Sequence, residues 1–104
     1  MRSYLFLESR SDLDSPDVPA ALALAGRLCG EGHQVAVFLV QNAVTMVGRT
    51  QALGELHAAG VQVWADDHSL AVRGLPEPAG AVRLGGAPDI VRLLMTPDVI
   101  PVWH

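Results

Sequence analysis

One segment of the chain is apolar over nearly its whole length, and it restricts the fold more than any other feature. Residues 34–40 read QVAVFLV, a nearly continuous apolar run of the length that a buried strand has. Such runs are expected where both faces of a sheet are covered, which is the usual condition of parallel strands. The segment therefore predicts a strand of a parallel sheet with helices packed on both faces.

Short apolar runs alternate with helix-like segments along the rest of the chain. The predicted strands are residues 3–8, 34–40, 61–65, 81–84 and 99–103, and the predicted helices are residues 16–30, 51–59 and 88–95, a short helix ending at Gly74 and a helical turn at 43–47. A strand followed by a helix, repeated about five times, favours a three-layer α/β/α fold of the Rossmann-like kind around a roughly five-stranded parallel sheet. A length of 104 residues suits one domain, residues 1–104.

Particular residues mark the ends of several elements. Residues 15–17 read Ser-Pro-Asp, a helix start in which serine caps, proline fills the first position and aspartate favours the helix dipole. We expect Gly30 to end this helix in a left-handed turn and Gly85-Gly86 to turn the chain after the fourth strand. Pro101 has no backbone N–H, which predicts an edge or terminating position for the last strand.

The charge and hydropathy pattern excludes several classes of protein. The formal net charge is −4, and the seven basic residues are all arginines scattered singly along the chain. Binding to nucleic acid or to an anionic membrane would need clustered cations, so we expect neither. No apolar run approaches the ~20 residues of a membrane span, and the N-terminal strand is unlike a signal peptide. We therefore expect a soluble, cytoplasmic protein.

The remaining composition bears on partners and metals. Half of the residues are hydrophobic, more than one small core requires, which indicates a subunit interface. Cys29 is the single cysteine, so an intramolecular disulfide and a Cys-based zinc site are excluded. We predict no cofactor and no metal. A metal site formed by Asp67, His68 and His104 is an alternative that their spacing does not specifically indicate.

Polar residues follow the first three predicted strands, at the point where each strand ends. The carboxyl ends of parallel strands meet at one edge of a sheet, where open α/β folds bind their ligands. We therefore expect a small-molecule cleft at this edge, with Asp66 and His68 as a catalytic acid–base pair. The residues expected to bind the substrate are Glu8, Gln41, Asn42, Asp67 and Ser69.

Each of these side chains also has a purely structural interpretation. Asp66 caps the following helix in that interpretation, and Asp67 is a solvated acid in its first turn. His68 is an exposed first-turn histidine, and Asn42 caps the helical turn that follows it. Arg73 pairs with an acid or a backbone carbonyl. Both interpretations stay open at the level of the sequence.

Five segments follow one another in an order that is typical of a known family. They are the opening strand, the helix ending in Gly30-Glu31-Gly32-His33, the strand VAVFLV followed by Gln41-Asn42-Ala43-Val44, the run GVQVWADDHSLAVRGL, and the run IVRLLMTPDVIPVWH. The earlier segments resemble DsrE, and the last is more similar to DsrH. Over nearly its whole length the chain resembles the DsrE/DsrF/DsrH-like family of sulfur-relay subunits, which includes the Tus proteins.

The resemblance implies a site as well as a fold. In the sulfur-accepting members of the family, the turn after the third strand carries a cysteine that becomes a persulfide, and a helix N-terminus stabilises the reactive thiolate. Counting back from Arg73-Gly74, that position falls on Asp66, which cannot carry a persulfide. Cys29 lies late in the first helix, where the negative end of the helix dipole disfavours a thiolate. The resemblance also implies a homo- or hetero-oligomer: a dimer, trimer or hexamer.

Three hypotheses about function follow. The first is an accessory or partner-binding subunit of a sulfur-relay type complex, or a small-molecule-binding module. The second is a repurposed enzyme that uses Asp66 and His68 on a small metabolite. The third is a sulfurtransferase that uses Cys29. A deep cleft on which Asp66 and His68 converge would favour the enzyme, whereas a filled cleft with an apolar outer face would favour partner binding.

Overall fold

A five-stranded parallel sheet runs through the computed structural model, which describes every residue from Met1 to His104. The strands are β1 Ser3–Glu8, β2 Gln34–Leu39, β3 Gln62–Asp66, β4 Val82–Gly85 and β5 Val99–Trp103. The helices are α1 Asp17–Gly30, α2 Ala52–Ala58, α3 Asp67–Val72 and α4 Ala87–Leu94, with a 3-10 helix at Gln41–Met46. The strand order is β4-β3-β2-β1-β5, and every neighbouring pair is parallel. The predicted fold class is confirmed.

The two faces of the sheet are covered unequally. One face packs against α1, α2, α3 and the 3-10 helix and holds the larger apolar core. The other face packs a smaller core against α4 alone; its members are Leu5, Leu7, Ala36, Phe38 and Trp64. No residue of α4 is itself fully buried. The third layer of the fold is therefore thin. None of the helices has the length and apolarity that crossing a bilayer requires.

Strand β2 explains why the apolar run at 34–40 is so continuous. Val35, Val37 and Leu39 belong to the larger core, while Ala36 and Phe38 belong to the smaller one. Successive side chains of a strand point to opposite faces, so a strand whose two faces are both buried must be apolar at every position. All five of these side chains are buried.

Strand β5 lies at an edge of the sheet, as Pro101 predicts. His104 N–H donates to the Leu7 carbonyl and Ser9 N–H donates to the His104 carbonyl, both at 3.0 Å. Since hydrogen-bonding direction alternates along a strand, the backbone of Pro101 faces away from β1, toward the unpaired side. The missing N–H therefore removes a donor from the free edge, where another chain would otherwise pair.

Some element boundaries differ from the predicted ones by a residue or two. The left-handed glycine after α1 is Gly32, with φ of 93°, and not Gly30. The helix continues to Gly30 and closes with His33 N–H donating to the Leu28 carbonyl at 3.2 Å, which places the reversal two residues later than predicted. The start of α1 also shifts by one residue, and Ser15 Oγ accepts from the Asp17 N–H at 3.2 Å.

The prediction that Gly85 lies in a turn is wrong. Gly85 is the last residue of β4 and pairs with Asp66. A Cβ at this position would lie 2.7 Å from Trp64 Cε3 and 3.1 Å from Phe38 Cζ. Glycine is required here because the aromatic side chains of the smaller core lie directly against the backbone of β4.

Candidate functional site

The predicted site residues all lie at the carboxyl edge of the sheet, because the strands that carry them run in the same direction. Glu8 ends β1, Gln41 and Asn42 begin the 3-10 helix after β2, and residues 66–69 connect β3 to α3. The structure does not bring them into one cluster. Asp66, Ser69, Gln41 and Asn42 belong to one hydrogen-bonded network that includes Arg73. Asp67 and His68 are exposed beside this network, and Glu8 pairs with a residue outside the predicted set.

Asp66 caps helix α3. Its Oδ2 accepts the Ser69 N–H at 2.9 Å and the Ser69 hydroxyl at 2.6 Å, and its backbone is extended, as an N-cap requires. The Ser69 Oγ, in a side chain only 5% exposed, accepts the Gln41 N–H at 2.8 Å. Gln41 has a left-handed backbone with φ of 50°. The Asp66 carboxylate thus organises the turn after β3 and, through Ser69, the turn after β2.

The Asn42 side chain is also hydrogen-bonded to another side chain of the protein, although the two residues are distant in sequence. Arg73 donates from Nε and Nη2 to Asn42 Oδ1, at 3.2 and 2.9 Å, and from Nη1 to the Ser69 carbonyl at 3.2 Å. Hydrogen bonds from the Ser11 backbone and from the Asn42 side chain lower the pKa of Asp14. Arg73 thus donates to the Ser69 backbone carbonyl, which is one of its two predicted kinds of partner. Its other partner is the Asn42 amide oxygen, where an acid was predicted.

Asp67 and His68 are exposed and do not converge with Asp66. Asp67 Oδ1 accepts the backbone N–H of His68 at 2.6 Å. The Asp67 carboxylate lies against Gly86, where a Cβ would be 3.2 Å from each carboxylate oxygen. Both side-chain hydrogen bonds of Asp66 are made with Ser69, and neither is made with the His68 ring. No group of three or more His, Cys, Asp or Glu side chains is arranged to hold a metal ion.

Glu8 and His104 each follow or end a predicted strand at the carboxyl edge, and the structure pairs them directly, a contact that the sequence does not predict. Nδ1 of His104 lies 2.8 Å from Oε1 and 2.7 Å from Oε2 of Glu8. The Glu8 side chain is 2% exposed, whereas the His104 ring is 26% exposed. The two residues are 96 positions apart in the chain and meet because β5 is the neighbour of β1. Only the strand order reveals the pair.

A groove of about 540 Å³ opens at the same edge on the α4 side of the sheet, on the face opposite the Glu8 side chain. Its lining residues are Leu7, Ser9, Val40, Gln41, Ile90, Trp103 and His104. Of the residues predicted to bind substrate, Gln41 alone is among them. Asp66, Asp67 and His68 are outside it. The groove at the carboxyl edge therefore lies between β1, β5 and α4, and not over the turn after β3.

Cys29 lies far from this edge in the fold. It is in the last turn of α1, which returns from the carboxyl edge toward the start of β2. The thiol is half-buried and donates to the Ala59 carbonyl at 3.3 Å. A Cβ on Gly60 would lie 3.3 Å from Cys29 Sγ. The thiol therefore packs against the loop before β3.

Comparisons with known proteins identify the fold. No protein-family model matches the sequence, and no curated protein matches it. Among solved structures, the crystal structure of the ychN protein from E. coli is similar over 100% of both chains, with a TM-score of 0.87 and 19% sequence identity. At this identity the similarity establishes the fold alone. The chain therefore shares the whole fold of the ychN protein, an architecture that agrees with the DsrE-like fold implied by the sequence motifs.

Proposed function

We propose that this chain is an accessory, partner-binding subunit of a sulfur-relay type complex, with a DsrE-like fold, and that it does not itself carry sulfur. The observation that carries the proposal is the hydrogen bonding of Asp66. The position where the resembling family has its persulfide cysteine holds a carboxylate that caps α3 through the N–H and hydroxyl of Ser69. The Asp66 side chain therefore has a structural role as a helix cap, and a carboxylate cannot form a persulfide.

Cys29 is poorly suited to take over sulfur transfer. A reactive cysteine needs a stabilised thiolate, which helix N-termini and nearby cations provide. Cys29 lies instead in the last turn of α1, next to backbone carbonyls, and its thiol donates to one of them. Its position at the amino-terminal side of the sheet also separates it from the groove at the carboxyl edge. These features support a subunit that acts by binding.

The surface formed by α4 and β5, which we call the α4–β5 face, supports the partner-binding role. Three large apolar side chains are exposed on it: Val91 by 58%, Met95 by 77% and Trp103 by 69%. Helix α4 is the one helix that covers this side of the sheet, so a further layer of protein would complete the core there. The proposed assembly is a dimer, trimer or hexamer, homomeric or mixed.

The enzyme alternative assigns catalysis to Asp66 and His68, with Glu8, Gln41, Asn42, Asp67 and Ser69 binding the substrate. It has less support. Asp66 and Ser69 are bonded to each other, Asn42 is bonded to Arg73, and Glu8 to His104, so most of these polar groups are engaged within the chain. The catalytic role of Asp66 and His68 stays a prediction.

The proposed partner binding is tested by the mass of the assembly in solution. The measurement is light scattering coupled to gel filtration, with native mass spectrometry of the protein from its own host to identify any second subunit. We expect an assembly larger than one chain, which Val91→Asp on the α4–β5 face dissociates.

The matched control is Val72→Asp. Val72 is 62% exposed at the end of α3, on the opposite side of the sheet, so this variant carries the same change away from the proposed interface. It should leave the assembly intact. A wild-type protein that is a monomer without a second subunit contradicts the proposal, and so does an assembly that both variants disrupt equally.

A further inference from the structure

We propose that a cavity at the amino edge of the sheet, where the strands begin, binds a small aliphatic carboxylate whose charge pairs with Arg92. This amino-edge cavity has a volume of about 290 Å³ and is lined by the first residues of β1, β2, β3 and β5 and by Arg92, Leu93 and Thr96. None of the exposed apolar residues of the α4–β5 face lines it. The inference therefore does not depend on the proposed partner binding.

The alternation of side chains along β1 and β2 forms the floor of the cavity. Leu5 and Ala36 line it and belong to the smaller core, on the α4 side of the sheet. Ser3 and Gln34 precede them by two residues, so their side chains point to the same side. The Ser3 hydroxyl donates to Gln34 Oε1 at 3.2 Å, a contact that agrees with this placement. The cavity thus has an apolar floor and a polar rim.

The rim supplies hydrogen-bond donors and no negative charge. Because Oε1 of Gln34 accepts from Ser3, the amide nitrogen of Gln34 is left as a donor. Gln62 lies two residues before Trp64 of the smaller core and shares its side of the sheet. The Gln62 amide and the Thr96 hydroxyl can each donate a hydrogen bond. No aspartate or glutamate lines the cavity, so these donors suit an anionic ligand.

Arg92 is the one charged residue in the lining. Its guanidinium carbon lies 5.7 Å from the centroid of the Trp64 ring, a cation–π contact that positions it on the β3 side of α4. One of its nitrogens, Nη2, donates to Asp89 Oδ1 at 3.3 Å, and the other oxygen of Asp89 accepts the Gly86 N–H. The other N–H groups of the guanidinium stay available, and their planar arrangement matches the two oxygens of a carboxylate.

The apolar surface of the cavity determines the rest of the ligand. Leu5, Ala36, Leu93 and Val99 offer hydrocarbon surface to a ligand, and covering such surface stabilises a complex in proportion to the apolar area removed from water. An inorganic phosphate has the charge for Arg92 but nothing to cover this surface. The volume of about 290 Å³ is at the small end for ligand pockets. A carboxylate with a short aliphatic chain satisfies both requirements.

The test uses butyrate as the probe and butyramide as its matched control, because the two have the same chain and differ in charge. Binding is followed at constant ionic strength in the full-length protein by NMR, with isotope-labelled tryptophan. Trp64 reports on the cavity because Arg92 lies over its ring, and Trp103, assigned through Trp103→Phe, is the internal control. We expect butyrate to shift the Trp64 indole resonance and to bind about tenfold more tightly than butyramide, as for one charge-assisted contact. Equal binding of both probes, or no binding of butyrate, overturns the proposal.

Inorganic phosphate tests the aliphatic part of the assignment. We expect phosphate to bind severalfold more weakly than butyrate, because it leaves the apolar floor uncovered. Phosphate that binds as tightly as butyrate would show an anion site without a place for a chain, and would overturn the carboxylate proposal.

Two arginine variants test the role of Arg92. Arg92→Gln should weaken butyrate binding about tenfold and leave butyramide binding unchanged. The matched control is Arg83→Gln, because Arg83 also lies over the Trp64 ring, at 5.5 Å from its centroid, but does not line the cavity. It should change the affinity for neither probe. An equal loss of butyrate binding in both variants would show only a general attraction of anions to positive charge, and would contradict the proposed contact.

Discussion

Replacing Asp66 with alanine tests whether this carboxylate acts as the structural cap of α3. The substitution removes the acceptor of the Ser69 N–H and of the Ser69 hydroxyl. Loss of an N-cap to alanine costs about 1 kcal/mol. The Ser69 hydroxyl would in addition lose its acceptor in a side chain that is 5% exposed, which costs about 1–3 kcal/mol. We therefore expect Asp66→Ala to lower the free energy of unfolding by about 2–4 kcal/mol.

The measurement is urea unfolding followed by circular dichroism, with Asp66→Asn as the matched variant. Asparagine keeps a side-chain oxygen and is as good an N-cap as aspartate, so Asp66→Asn should cost less than about 1 kcal/mol. A double-mutant cycle with Ser69→Ala should give a coupling energy of about 0.5–3 kcal/mol, the range found for residues in one hydrogen-bond network. This coupling separates loss of the cap from a general effect of the substitution.

Two results would show that Asp66 is not this cap: an Asp66→Ala variant as stable as the wild type, or a coupling energy of zero with Ser69. In the first case the Asp66 carboxylate does not stabilise the fold, and the alternative in which it has a catalytic role regains support. In the second case the carboxylate stabilises the protein without the bonds to Ser69, and the connection between the turns after β2 and β3 is not the one described.

Three further predictions concern packing, the sheet edge and pH. Gly85→Ala should destabilise the protein by about 1–3 kcal/mol, because the added Cβ overpacks against Trp64. Gly54→Ala in α2 should stabilise the protein by about 0.5–1 kcal/mol, because a Cβ there has no neighbour within 4 Å. Thermal unfolding of both variants compares the two effects. Pro101→Val restores an outward N–H at the free edge of β5 and should cause concentration-dependent association, measured by light scattering. The hydrogen bond from Arg49 lowers the pKa of Asp12 below 3.8 in the folded state, so its stabilisation is complete above that pH and is lost as the pH falls through the folded pKa. Asp12→Asn should therefore reduce the dependence of urea unfolding on pH in the acid range.

Local patterns in the sequence were sufficient for the sheet and for its edge. The apolar run of β2 predicts burial on both faces, and Val37 and Phe38 are indeed buried on opposite sides. Pro101 predicts an edge strand because a missing N–H can be tolerated only there. Such features are encoded within a few neighbouring residues, which is why they can be read before the fold is known.

Features that depend on close approach between distant segments could not be read in this way. Gly85 looks like a turn residue next to Gly86, and only the packing of Trp64 shows why β4 needs a glycine there. Glu8 and His104 meet because β5 pairs with β1, and local patterns do not determine strand order. The capping role of Asp66, by contrast, was one of its two predicted interpretations, since a helix start has a local signature.

A subunit that acts only by binding partners should not accept sulfur, and a sulfur-loading experiment distinguishes this role from sulfur transfer. The measurement is intact mass spectrometry after incubation with a persulfide donor, applied to the wild type, to Cys29→Ala and to Asp66→Cys, which places a thiol at the N-terminus of α3. We expect no sulfur adduct on the wild type and a reductant-sensitive adduct on Asp66→Cys. A reductant-sensitive adduct on the wild type that disappears in Cys29→Ala would instead establish Cys29 as a sulfur carrier and rule out the proposed role.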